Sequence, residues 1–71
     1  MPTLLLRVDG IDGPNAEATI QSLLERLPGV YAAQASAAHG RVELDYEDDE
    51  VGIDEILAVL RRSGYAARLG G

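Results

Sequence analysis

Residues 3–30 read TLLLRVDGIDGPNAEATIQSLLERLPGV, and this stretch decides the fold because its hydrophobic period changes partway along it. Over Thr3–Asp9 the residues alternate between two faces, with Leu4, Leu6 and Val8 on one of them, which predicts a strand. From about residue 15 to residue 26 the apolar residues recur at steps of three and four, which predicts an amphipathic helix. The apolar stripe of that helix consists of Ala16, Ile20, Leu23, Leu24 and Leu27.

The turn between these two elements, Gly10-Ile11-Asp12-Gly13-Pro14-Asn15, carries signals for the start of a helix. Asp12 and Asn15 are both candidate N-caps, and Pro14 suits the first helical turn. The helix is expected to end before Pro28-Gly29. Its polar face is predicted to point away from the apolar stripe and consists of Glu17, Gln21 and Glu25.

The rest of the chain repeats the pattern with a hairpin in the middle. The alternation over residues 30–37 and Arg41–Tyr46 predicts two strands, and Ala38-His39-Gly40 is the predicted turn between them. Residues from about 53 to 63 are predicted to form a second helix that Gly64 ends, and residues 65–69 are predicted to form a short last strand. The order β-α-β-β-α-β predicts an α+β, ferredoxin-like fold, with a four-stranded antiparallel sheet and two helices on one face.

Composition limits what the chain does. It has 71 residues, a formal net charge of −6 and no cysteine, so we expect a single domain over residues 1–71 without a large catalytic cleft. The lack of cysteine excludes a disulfide framework, a thiolate metal site and a cysteine nucleophile. The acidic balance argues against nonspecific nucleic-acid binding, and no apolar run reaches the roughly 20 residues that span a membrane. We expect a cytoplasmic domain that makes no direct membrane contact.

Catalysis is not expected. His39 is the only histidine, and it stands in a predicted turn with no nucleophile at a spacing that implies a catalytic pair.

Four short motifs resemble the heavy-metal-associated (HMA) domain family, at that family's spacing. Leu6-Arg7-Val8-Asp9-Gly10-Ile11 resembles its first strand and turn, L-x-V-x-G-M, and Leu27-Pro28-Gly29-Val30 matches its L-P-G-V. Val42-Glu43-Leu44-Asp45-Tyr46 resembles its third strand, and Ser63-Gly64-Tyr65 resembles its G-Y after the second helix. The resemblance covers nearly the whole chain and implies the ferredoxin-like fold, with Ile11 and Tyr65 packed in the core.

The metal site of the family is where the sequence departs from it. The family motif G-M-x-C-x-x-C aligns with Gly10-Ile11-Asp12-Gly13-Pro14-Asn15-Ala16. Gly13 and Ala16 stand at the two cysteine positions, and neither side chain offers a donor to soft Cu(I), which prefers thiolates. The resemblance therefore implies a degenerate HMA-like domain without the CxxC motif and without a cofactor.

For function, the resemblance implies a non-catalytic docking or regulatory role. The domain would be the N-terminal domain of a heavy-metal-transporting P-type ATPase or a small stand-alone relative, with transport-ATPase domains or a metallochaperone as its partner. The acidic run from Glu43 to Glu50 has two interpretations, a solvated surface or a surface that docks a basic partner. The candidate docking residues are Asp12, Gly13, Pro14, Asn15, Glu43, Asp45, Glu47, Asp48, Asp49 and Glu50. The uncovered face of the predicted sheet leaves dimerisation open.

Two alternatives stay open. The first loop and the hairpin turn lie at the same end of the predicted sheet, so Asp9, Asp12 and His39, with Asn15 nearby, are candidate ligands for a weakly bound divalent ion such as Zn²⁺, Ni²⁺ or Mn²⁺. The simpler interpretation is a capped helix and a solvated turn histidine. An ACT-like small-molecule sensor shares the element order, but the L-P-G-V and G-Y motifs fit the HMA family better.

Overall fold

The computed structural model describes residues 2–70, and its elements follow the predicted order. The bounds of the first and third strands are confirmed, and the other elements differ from the prediction by one residue at one or both ends. The elements are β1 (Thr3–Asp9), α1 (Pro14–Glu25), β2 (Val30–Ser36), β3 (Arg41–Tyr46), α2 (Ile53–Arg62) and β4 (Ala66–Leu69).

The four strands form one antiparallel sheet in the order β2-β3-β1-β4. Leu6 lies opposite Val42 on β3 and opposite Leu69 on β4, which fixes the register of the three strands. The apolar residues of β1 and β3 therefore share one face with the helices, as the alternation predicts. The other face of the sheet carries no helix, and we call it the outer face.

The core lies between the sheet and the two helices and is wholly apolar among the described residues. Its largest fully buried side chains are Leu6, Ile20, Leu24, Leu44, Ile56, Leu60, Val8 and Val42. Leu23 was predicted to join the stripe of α1 but is only half-buried and lines a groove on the outer side of that helix. The sequence stripe is wider than the surface that α1 presents to the core.

The polar face of α1 points away from the apolar stripe, as predicted, and its side chains also bond to the backbone of β2, which the sequence did not predict. Oxygen atoms of Glu17, Gln21 and Glu25 accept hydrogen bonds from the backbone N–H groups of Ala37, Ala35 and Ala33, at 2.7, 3.2 and 3.4 Å. These donors lie on the side of β2 that faces away from β3, so the helix side chains satisfy the open edge of the sheet. An edge strand covered in this way cannot readily pair with another chain.

The ends of the helices show one departure and one confirmation. The N-cap of α1 is Gly13, and no side chain caps this end, so neither Asp12 nor Asn15 has the predicted capping role. At the end of α2, Gly64 has a φ of +94°, and the N–H of Tyr65 bonds to the carbonyl of Leu60 at 3.0 Å. This is a Schellman turn, in which glycine ends the helix as predicted.

Candidate functional site

The β1–α1 loop, residues 10–13, lies at the end of the sheet that also holds the β2–β3 turn and the α2–β4 turn. We call this the loop end. Ile11 is buried in the core, and Tyr65 is half-buried and packs against that core, as the sequence predicts. A β-carbon placed on Gly10 would lie 3.5 Å from the ring carbon Cδ1 of Tyr65, so the ring closes over the loop. The loop is therefore held by apolar packing.

The two positions at which the family pattern has cysteine differ in their surroundings. Gly13 has an extended backbone, with φ 164° and ψ −172°, and no atom lies within 4 Å of the place where its β-carbon would stand. Ala16 lies in the first turn of α1 and is buried. Neither side chain carries a donor atom, so the loop offers no pair of soft ligands.

The structure does not bring the predicted oxygen and imidazole ligands together. The carboxylate of Asp9 accepts from the guanidinium of Arg68 at 3.2 Å, and Nδ1 of His39 lies 2.9 Å from the hydroxyl of Ser36. His39 lines a depression of about 190 Å³ together with Arg7 and Arg41 of the outer face, and no residue of the β1–α1 loop lines it. Asp12 is exposed in the loop. Metal binding by Asp9, Asp12 and His39 stays a prediction.

A different group of acidic side chains, in the turn after β3, does lie close together. Within residues 2–70, the carboxylates of Glu47, Asp48 and Asp49 form the one group of three potential metal ligands whose ligand atoms all lie within 4.8 Å of one another. These residues were predicted to lie on a docking surface, but their close grouping was not predicted. Three successive acids in a tight turn were the available signal. The group is largely exposed, and exposed acids of this kind are common without an ion.

This acidic turn is anchored by its backbone. The N–H of Glu47 donates to the carbonyl of Gly29 at 2.6 Å, and the N–H groups of Glu50 and Val51 donate to the carbonyl of Glu47 at 3.0 and 3.1 Å. Val51 is buried. The turn is thus fixed to the core and to the α1–β2 connection, while its carboxylates point outward.

Most of the predicted docking residues fall at two opposite ends of the sheet, and Glu43 and Asp45 lie on β3 between them. Asp12, Gly13, Pro14 and Asn15 lie at the loop end, whereas residues 47–50 follow the far end of β3. Because β3 alone spans roughly 20 Å at about 3.3 Å per residue, the two groups belong to different surfaces.

Charge is divided between the same two ends. The half toward the loop end holds five arginines and three carboxylates, a formal charge of +2. The opposite half, which we call the acidic end, holds nine carboxylates and one arginine, a formal charge of −8, and the two halves together give the net −6. The carboxylates of the acidic end are Glu25, Glu43, Asp45, Glu47, Asp48, Asp49, Glu50, Asp54 and Glu55.

The βαββαβ topology, with a glycine-containing loop leading into α1, defines the class of small ferredoxin-like domains. The model of the heavy-metal-associated domain family matches residues 5–66, and the chain belongs to this family. The expected absence of the CxxC motif also holds, because the chain has no cysteine.

Individual relatives are distant in sequence and close in structure. The chain is 25% identical over 61 residues to the copper chaperone CopZ of Staphylococcus aureus, covering 86% of this chain and 90% of CopZ. A copper-binding domain from HMA7, a P-type ATPase, superposes with a TM-score of 0.95 at 17% identity, covering all of this chain and 96% of that one. The N-terminal domain of a potential copper-translocating P-type ATPase from Bacillus subtilis gives 0.90 at 20% identity, covering 97% and 86%.

The part of the chain that the structure describes contains no helix long and apolar enough to cross a bilayer.

Proposed function

We propose that this HMA domain is a non-catalytic docking or regulatory module of a metal-transport system and does not itself carry a soft metal ion. The observation that carries the proposal is the pairing of a preserved scaffold with two donor-free positions. Ile11 and Tyr65 close the loop end, yet Gly13 and Ala16 supply no ligand. What remains for such a domain is its surface.

We assign the docking role to the acidic end. Its −8 charge lies on a small domain, and a field of one sign steers a basic partner into contact and speeds association. The anchored turn at residues 47–50 presents its carboxylates without a large cost in backbone entropy, because backbone hydrogen bonds already hold it. The partner is then a protein surface rich in lysine or arginine.

The proposal also includes the setting of the domain. It is either a domain of a heavy-metal P-type ATPase or a small stand-alone protein, and it lies in the cytoplasm. Support comes from the family and from the relatives, which include a copper chaperone and P-type ATPase domains. Family membership favours this role over that of an ACT-like sensor.

The first arm of the test addresses metal. The ¹⁵N-labelled protein is titrated with Cu(I), Zn²⁺, Ni²⁺ and Mn²⁺ while amide shifts are followed. We expect no saturating shift at micromolar ion concentration. Saturating shifts confined to Asp9, Asp12 and His39 would replace docking by metal binding through those residues, and shifts confined to residues 47–49 would assign an ion to the acidic turn.

The second arm addresses docking. Purified cytosolic domains of a copper-transporting P-type ATPase from the same genome are the probe, and affinity is measured at low and at physiological salt. We expect Asp48→Asn/Asp49→Asn to weaken binding and to reduce its salt dependence. Asp9→Asn/Asp12→Asn removes the same two charges from the loop end and should leave binding unchanged. If only the loop-end variant loses binding, the assignment to the acidic end is wrong.

A further inference from the structure

The outer face of the sheet carries a row of cations. The register places Arg7 directly opposite Arg41 on β3 and opposite Arg68 on β4, with all three side chains exposed. Like charges directly opposite each other on adjacent strands are destabilising. Within residues 2–70, Asp9 pairs with Arg68, and neither Arg7 nor Arg41 has a carboxylate within 4.0 Å. Two cations of the row therefore lack an intramolecular partner in this part of the chain.

The same face also carries the opposite charge further along β3. Alternate residues of the hairpin turn and β3 share this face, in the order His39, Arg41, Glu43 and Asp45. Glu43 lies opposite Leu5 on β1 and makes no salt bridge within residues 2–70, whereas Asp45 accepts a 2.8 Å hydrogen bond from the hydroxyl of Thr3. The two basic positions are thus followed by two acidic ones.

This order of charges is complementary to the same order read backwards, because the basic residues of one copy then face the acidic residues of the other. If a second copy of β3 is turned end for end and laid over the first, Arg41 faces Glu43 of the second copy and His39 faces Asp45 of the second copy. A two-fold axis between residues 41 and 43 makes each contact twice, as a closed dimer requires. A two-fold axis that runs along the strands would keep the two β3 strands parallel, and Arg41 of one copy would then face Arg41 of the other.

We propose that the outer face binds the same face of a second copy of this chain, with the two β3 strands antiparallel and Arg41 against Glu43. The arrangement gives each unpaired arginine a carboxylate on the other copy: Arg41 meets Glu43 directly, and Arg7 lies one strand away from the same carboxylate. Stacked sheets pack about 10 Å apart, a gap that arginine and glutamate side chains together can bridge. This dimer does not depend on the proposed docking role, because the turn at residues 47–50 lies outside its face, although Glu43 and Asp45 belong to both the outer face and the acidic end.

The dimer is expected to be weak and sensitive to salt. Four strands at about 4.8 Å spacing and roughly 3.3 Å per residue give a face of roughly 20 by 20 Å, well below the size of a standard stable interface. The face is mostly polar, with Leu5 half-buried near its centre, and salt screens exposed charge pairs. We expect a transient dimer at high protein concentration and low ionic strength.

A charge exchange tests the arrangement. Sedimentation and NMR relaxation measure self-association of the wild type, Arg41→Glu, Glu43→Arg and the double variant Arg41→Glu/Glu43→Arg. Each single variant should weaken association at least about tenfold, because symmetry turns one reversal into two unfavourable contacts. The double variant should restore association, since the exchanged charges again face each other.

The control variant is Arg61→Glu, which makes the same charge change at an exposed position in the last turn of α2 and should leave association unchanged. The neutral pair Arg41→Gln and Glu43→Gln repeats the test if a reversed charge lowers the melting temperature. A wild type that stays monomeric at millimolar concentration in low salt overturns the proposal. So does a double variant that associates no better than the single variants.

Discussion

A β-carbon on Gly29 would lie 2.8 Å from the Cβ of Glu50, closer than real side chains approach each other. The carbonyl of Gly29 also accepts the N–H of Glu47, so the α1–β2 connection and the acidic turn fit together only because residue 29 has no side chain. The L-P-G-V motif thus has a physical role in this chain. It lets the turn that carries residues 47–50 sit against the end of the core.

Replacing Gly29 by alanine should therefore destabilise the domain for two reasons. Its φ of +94° strains any residue with a β-carbon by about 1–2 kcal/mol, and the contact with Glu50 adds an overpacking cost of about 1–3 kcal/mol. Gly64 is the matched control, because it has the same φ of +94° and no atom within 4 Å of an added β-carbon. Urea unfolding should show a clearly larger loss for Gly29→Ala than for Gly64→Ala, and equal losses would show that the close approach to Glu50 does not matter.

The hydrogen bonds from α1 side chains to the open edge of β2 give a second prediction. Glu17→Ala removes the acceptor of the 2.7 Å bond from the N–H of Ala37, so hydrogen exchange at that amide should accelerate, with a loss of stability of about 1–3 kcal/mol. Glu17→Gln keeps an oxygen at the same reach and should retain part of the protection. Ser22→Ala changes an exposed residue of the same helix and serves as the control.

Removing all three acceptors extends this test. Glu17→Ala/Gln21→Ala/Glu25→Ala should expose the edge strand and raise the tendency to aggregate, as measured by light scattering. Unchanged amide exchange at Ala33, Ala35 and Ala37 in this variant would mean that the side chains do not protect the edge.

Neighbouring leucines on α1 provide a third, matched pair. Leu24 is fully buried, so Leu24→Ala should cost about 2–5 kcal/mol of unfolding free energy through lost transfer energy and a cavity. Leu23 is half-buried outside the core, and Leu23→Ala should cost about 1 kcal/mol or less. Similar losses in thermal or urea unfolding would place both side chains in the core and contradict the observed packing.

The side chains of α1 show which features of the fold hydrophobic periodicity predicts and which it does not. The change in hydrophobic period from two to 3.6 residues predicts β1, α1 and the element order, because residues that face the core recur at these periods in strands and helices. Periodicity does not separate Leu23 from Leu24, since the width of the buried stripe depends on how α1 lies on the sheet. It also does not predict the bond from the N–H of Ala37 to Glu17, because a helical wheel ignores a long side chain that reaches a neighbouring strand.

The candidate site was predictable to a similar extent. The missing thiolates follow from the positions of Gly13 and Ala16 in the motif. The separation of the docking residues into two ends and the row of arginines do not, because both depend on strand register. Arg7 and Arg41 are 34 positions apart in the chain and become neighbours only when β1 pairs with β3.

The most direct measurement is a Cu(I) titration of the wild type against Gly13→Cys/Ala16→Cys, in the presence of a competing chelator and a reductant. Position 13 has room for a side chain, and position 16 lies in the adjacent first turn of α1, so two thiolates restored there should meet at the loop end. Gly13→Ser/Ala16→Ser is the control for side-chain size. The expected result is one Cu(I) bound per double-cysteine chain and none held by the wild type or the serine variant. Tight, stoichiometric Cu(I) binding by the wild type would contradict the claim that this HMA domain has lost its metal site.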